Sequence, residues 1–150
     1  MISRNALYTF LEAKIAAAAI DSPLKGAISF RSLRGQVNKA AKVIRVDCFS
    51  GRVAKTSDTQ CREADVDFVI EFYVTPALKT ADVSELEQQD AAIDLSFEML
   101  YEAFDKLTDS AGTTLNGAVE NLSTGEFDTG TANLGGVPRG ASYLYGKINP

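Results

Sequence analysis

Histidine and tryptophan are both absent from the 150 residues. Without an imidazole the chain excludes Ser-His-Asp and Cys-His nucleophilic sites, HExxH zinc sites and every proton shuttle built on histidine. Carboxylate, lysine, tyrosine or cysteine chemistry is all that remains to an enzyme, so the composition leans towards binding or assembly. Two cysteines are too few for a disulfide framework, and folding is expected in reducing surroundings. No apolar run approaches the roughly 20 residues that a bilayer span requires. Met1 to Phe10 carries Arg4 but lacks the apolar stretch and cleavage site of a secretory signal, and Ala16 to Ile20 is too short to supply them. A soluble chain without an export signal or membrane partner is therefore expected. Hydrophobic residues at 45% and charged residues at 23% suit one domain spanning 1–150.

Charge is divided unevenly. Residues 1–62 hold eleven Lys/Arg against four Asp/Glu, and residues 63–150 hold four against sixteen. If the fold keeps these halves on different surfaces, identical copies can meet positive side to negative side, the head-to-tail geometry that closes rings or grows filaments. Pairing of the same charges within one subunit is the alternative. Lys25, Arg31, Arg34, Lys39, Lys42 and Arg45 form a basic tract around Phe30, but a pI near 4.7 opposes general phosphate binding. Only a local path for DNA stays open.

The order of elements reads as α+β. Leu7, Phe10, Leu11, Ile15 and Ala18 share one stripe of a helix over Arg4 to Ala19, which Asp21-Ser22-Pro23 stops. Residues 22–42 are polar, glycine-punctuated and basic, and read as an extended arm with a short helical turn near Ser32 to Lys39. Val43 to Phe49 alternates as a half-buried strand. A polar loop over 50–62 leads to a second strand, Ala64 to Val74, with Val66, Phe68, Ile70, Phe72 and Val74 on its core face. Thr75-Pro76 ends it.

Asp82 to Asp109 predicts a long helix, capped by Asp82 with Glu85 three positions on. Its stripe runs through Leu86, Ile93, Phe97, Leu100, Phe104 and Leu107, with Asp90 interrupting it. A short strand at Ala118 to Leu122, a glycine-rich loop over 123–140 and a last strand at Ala141 to Ile148 complete the chain. The economical packing is a four-stranded antiparallel sheet with both helices on one face and long inter-strand loops.

Candidate sites are few. Glu63, Asp65, Asp67 and Glu71 fall at even spacing on one strand face and have the oxygen chemistry for Ca²⁺ or Mg²⁺. Ligands on a flat strand splay apart, however, so a solvated or subunit-facing acidic strip is favoured over a metal site. Arg45, Arg52, Lys55 and Arg62 are placed to answer that strip across the strand pair or from a neighbouring copy. Cys48 and Cys61 read as one buried and one free thiol. Residues 135–140, GGVPRG, lack the order of a phosphate loop and precede a strand, so they read as mobile loop. Asp90 is assigned no catalytic role. No catalytic residue, cofactor or metal is expected, and an enzyme using Asp67, Glu71 or Tyr73 is the weaker alternative.

The strand text VIRVDCFSGR, the strand DFVIEFYVTP, the long acidic helix, TTLNGAVE and the closing RGASYLYGKIN together resemble the tail terminator family of tailed bacteriophages, over about Met1 to Asn149. Related tail-to-head joining and neck proteins share that fold. The resemblance implies a ring-forming, non-enzymatic virion subunit, assembled in the host cytoplasm. Six copies would cap the last ring of the tail tube, stop its growth and present the other side to the head–tail connector. DNA would pass through the lumen without specific binding. The expected interface residues are Arg31, Arg34, Arg45, Arg52, Lys55, Arg62, Asp65, Asp67, Glu71 and Arg139. The arm over 22–42 is longer and more basic than a minimal member needs, which leaves another neck, head-completion or minor tail structural protein, or a clasp on a neighbour, as alternatives. A monomeric ligand-binding α/β domain, with a pocket between sheet and helices, is a further one.

Overall fold

A computed structural model describes residues 4–33, 39–55, 62–77, 84–104 and 121–149. Its elements in chain order are α1 (Arg4–Ala16), β1 (Ile28–Ser29), a 3-10 turn (Phe30–Ser32), β2 (Lys42–Lys55), β3 (Arg62–Val74), α2 (Glu85–Phe104), β4 (Asn121–Leu134) and β5 (Val137–Asn149). The sheet order is β1-β2-β3-β5-β4. Two long hairpins, β2–β3 and β4–β5, meet through antiparallel pairing of β3 with β5, which matches Val66 to Ile148 and Val74 to Gly140.

The fold is α+β with both helices on one sheet face, as the periodicity predicts. On that face Ile44, Val46, Phe68, Ile70, Phe72, Val74 and Leu144 meet Leu7, Phe10 and Leu11 of α1 and Ala92, Met99, Leu100 and Ala103 of α2. Alternation in β3 sends Phe68, Ile70, Phe72 and Val74 to this core. Burying each large side chain there contributes about 1.5–3 kcal/mol. Phe104 of α2 joins the halves, its ring centroid 6.4 Å from both Phe10 and Phe72.

The sheet differs from the expected four antiparallel strands. It has five and is mixed, because Ile28 and Ser29 pair in parallel with Val43 and Ile44. The arm over 22–42 is correspondingly not extended in its described part. Leu24, Ala27 and Leu33 are buried, and the Lys42 Nζ donates to the carbonyls of Pro23 at 2.8 Å and Lys25 at 3.1 Å. These contacts fold the segment back onto β2. Residues 34–38 lie outside the described residues.

The two long loops are also shorter than expected. β2 passes a bulge between Cys48 and Ser50 and continues in register from Ser50↔Asp67 to Lys55↔Arg62, so 50–55 are ladder, and 56–61 lie outside the described residues. Residues 123–134 are strand, joined to β5 by a turn at Gly135 and Gly136. These glycines have φ of +62° and +79°, the backbone that a two-residue hairpin turn demands. GGVPRG is therefore a tight turn opening a strand. Of the short strand expected at Ala118 to Leu122, only 121 and 122 fall among the described residues, where they open β4.

The start of α2 is capped by Ser84, whose Oγ accepts from the Glu87 N–H at 3.2 Å. The expected cap Asp82, and the expected helical residues 105–109, lie outside the described residues. The buried side of α2 is rotated from the expected stripe, and Leu86 is exposed while Ser96 is fully buried. Ser96 faces Ser142 of β5 with their hydroxyls 2.7 Å apart, and its hydroxyl also bonds the Ile93 carbonyl at 2.6 Å. Small residues let helix and sheet approach closely here, which a row of large apolar side chains would prevent.

Candidate assembly surface

The sheet order turns the charge division of the sequence into a division in space. The described residues 4–33 and 39–55, which build α1, β1 and β2, carry nine Lys/Arg and three Asp/Glu. β4, at the other edge of the sheet, and α2, which lies mainly across β5 and β3, together carry eight acidic residues and no basic one. β3 and β5 stand between. The basic residues thus gather toward the β1–β2 side, and the acidic ones of α2 and β4 toward the β5–β4 side.

The residues expected at an interface are placed differently from one another. Arg31 pairs with Glu12 of α1, through its Nη2 to Oε2 and its Nε to Oε1 at 3.2 Å. Its Nη1 also donates to the Asn5 side chain and, at 3.3 Å, to the Asn5 carbonyl. These bonds hold the Glu12 carboxyl below its ordinary range and pin the 3-10 turn to α1. Arg45 and Glu71 oppose each other across the β2–β3 ladder in a two-point pair, Nε to Oε2 and Nη2 to Oε1 at 3.0 Å. The carboxylate holds the Arg45 guanidinium charged more firmly than usual. Glu71 also accepts from the Tyr73 hydroxyl at 2.8 Å. Asp67 accepts from Ser50 at 3.4 Å.

Arg139 is buried, with Nη1 donating to the Ala40 carbonyl at 2.7 Å, and burial lowers its pKa. It ties β5 to the segment entering β2, beside the second cluster of Leu33, Val43, Tyr73, Leu134 and Ala141. Arg52, Lys55, Arg62 and Asp65 hold register positions in the far half of the β2–β3 hairpin, but their side chains lie outside the described residues, as does Arg34. The expected acidic strip therefore divides. Glu71 is consumed in the Arg45 pair and Asp67 stands in the ladder beside Ser50, while the side chain of Glu63 is likewise outside the described set. Among the described residues no group of three or more His, Cys, Asp or Glu is placed to hold a metal ion. The side chains of Cys48 and Cys61 are not among those described.

An apolar strip on the outer side of α2 falls partly outside the stripe that the sequence pattern predicts. Leu86, Tyr101 and Phe127 are 68%, 64% and 52% exposed. Phe97 links helix to strand, its ring centroid 5.0 Å from that of Phe127. Beside it Pro23, Phe97, Glu98, Tyr101 and Glu102 line an open groove of about 400 Å³. The signal available in sequence was Asp90, which is exposed. Leu86, Asp90, Ile93, Phe97 and Tyr101 repeat at helical spacing along the border of the covered face of α2, with Leu86, Asp90 and Tyr101 exposed and Ile93 and Phe97 half-buried. Phe127 was hidden from that pattern because its strand read as a loop.

No protein-family profile matches the chain, and comparison with curated proteins finds no match. No described helix is long and apolar enough to cross a membrane.

Proposed function

We propose that this chain is a structural virion subunit. Six copies join head to tail in a ring that caps a phage tail tube, ends its growth and meets the head–tail connector. The observation that carries the reading is the charge division across the fold, basic on the β1–β2 side and acidic on β4 and on α2, which lies over β5 and β3. Joining the basic side of one copy to the acidic side of the next is a heterologous contact, and a heterologous contact that closes makes a ring. The resemblance of the strand and helix text to tail terminators supplies the identity of the ring. The reading calls for no enzyme activity and no cofactor, and DNA crosses the lumen without specific contacts.

Native mass spectrometry of the full chain, alone and with tail-tube protein, tests it. Six copies, free or only on the tube, support the reading. A ring that ignores the tube and binds connector protein instead marks a neck protein of the same architecture. A persistent monomer indifferent to both overturns the proposal.

A further inference from the structure

β4 is fourteen residues long and is the last strand of the sheet, with no described strand on its outer side. Long uncovered edges are rare in isolated subunits, since their unpaired N–H and C=O groups recruit other strands. β2 is the second open edge, because β1 covers only Val43 and Ile44. The next outward N–H, that of Val46, is taken by the Tyr8 hydroxyl at 3.0 Å, and among the described residues no strand covers β2 beyond it. We infer that the outer edge of β4 in one subunit pairs with the open far half of β2 in the next, extending one sheet from copy to copy. This inference rests on the ring reading above and names the contact that makes the ring.

Strand direction favours this pairing. β2 and β3, β3 and β5, and β5 and β4 are each antiparallel, so β4 runs opposite to β2. Copies set side by side about a ring axis share one orientation, which brings β4 against the neighbour's β2 antiparallel, the ladder with the better hydrogen-bond geometry. Charge selects the same partner. β4 carries Glu126 and Asp128 and no cation, whereas β2 carries four cations and one acid. Pairing β4 with β4 about a two-fold axis would instead bring like charges together, with the acidic α2 behind each. The half-exposed Phe127 and Phe97 stand beside the edge, so closing the ladder also buries apolar surface.

The hairpin register says which N–H groups are on offer. A two-residue turn makes Leu134 and Val137 a mutually hydrogen-bonded pair, and alternation continues back along β4 through Ala132, Gly130 and Asp128. The N–H groups of Phe127, Thr129, Thr131 and Asn133 therefore point outward. Proline at Thr131 removes an outward donor and leaves the β5 ladder whole, a setting in which an edge strand accepts proline.

Hydrogen–deuterium exchange on the full chain, compared between assembled and dilute protein, is the first test. The amides of 129, 131 and 133 are expected to slow at least about tenfold on assembly. Native mass spectrometry of Thr131→Pro, with Thr131→Val as the control that keeps the N–H, is the second. A folded Thr131→Pro monomer beside a hexameric Thr131→Val supports the inference. Hexamers of unmodified chain whose β4 amides exchange as fast as in the monomer overturn the inference and leave the ring reading standing. Absence of any ring, with or without tube protein, overturns both. The exchange experiment uses the unmodified chain and so decides the matter even if Thr131→Pro misfolds.

Discussion

Gly140 of β5 lies backbone to backbone against Ala92 of α2, so that a Cβ built on Gly140 would stand 2.4 Å from the Ala92 carbonyl carbon and equally close to the Ile93 nitrogen. Backbone atoms of a packed helix cannot swing aside as a side-chain end can. Gly140→Ala is therefore expected to push α2 off the sheet at a cost of about 1–3 kcal/mol. At this chain length that lowers the thermal midpoint by about 2–4 °C per kcal/mol. Gly130→Ala, at a position with open space around the added carbon, is expected to stay within about 0.5 kcal/mol. Equal melting temperatures for the two variants would show that α2 does not sit as described.

Two phenylalanines assigned to the core by periodicity part company in the structure. Phe68 is 1% exposed, and its ring fills the space above Gly146, where a Cβ would fall 2.1 Å from the ring edge. Phe97 is only partly buried, on the outer side of α2 against Phe127. Phe68→Ala is expected to cost about 3–5 kcal/mol, and Phe97→Ala about 1–2 kcal/mol in proportion to its partial burial. Urea unfolding of both variants measures the difference, and equal costs would contradict the rotated helix face.

These contrasts show what the sequence makes legible. Phe68, Ile70, Phe72 and Val74 alternate because one neighbour layer covers their face, and Leu7 and Leu11 recur at helical spacing for the same reason, so β3 and α1 are readable directly. β4 is not, since Ser123 to Asn133 is rich in Thr and Gly. An edge strand paired on one side only tolerates residues that a central strand would reject. β1 is invisible because two residues carry no period, and its segment is held instead by Leu24, Leu33 and the Lys42 bonds. The face of α2 misleads because Ser96 and Ala92 are buried for closeness while Leu86 is left outside. The charge division is legible in one dimension, but its meaning depends on the strand order, which the β3–β5 pairing decides. The Arg31–Glu12 and Arg45–Glu71 pairs join residues far apart in sequence, and no local pattern announces them.

The Arg45–Glu71 pair sits on the sheet face away from the helices, with the Arg45 side chain 35% exposed and that of Glu71 9% exposed. Removing one partner strands the other beside Tyr73. Glu71→Gln is expected to cost about 1–3 kcal/mol, below the full figure for a wholly buried pair because solvent screens the arginine. Replacing both residues, Arg45→Met with Glu71→Leu, removes the stranded charge and is expected to recover most of that loss. A denaturant series on the two single variants and the double variant gives the coupling. Strict additivity would mean that the two side chains do not act as a pair.

Tyr73 ties this cluster to alkaline stability. Burial raises its pKa above the ordinary 10.0, and its hydrogen bond to the Glu71 carboxylate raises it further. The folded chain therefore keeps the phenolic proton at a pH where the unfolded chain has already lost it. Where the folded state binds more protons, unfolding free energy falls as pH rises. The contribution is whole below about pH 10 and is lost progressively above it. Tyr8 and Tyr145 are raised in the same direction, mainly by burial, and steepen the decline. Tyr73→Phe loses the bond to Glu71 and is expected to be less stable at neutral pH, so absolute stability does not isolate the effect. The slope does: denaturation across about pH 9–11 is expected to show a shallower fall for Tyr73→Phe than for the unmodified chain. Parallel slopes would mean that the Tyr73 hydroxyl titrates alike in both states, which is incompatible with a buried phenol donating to Glu71.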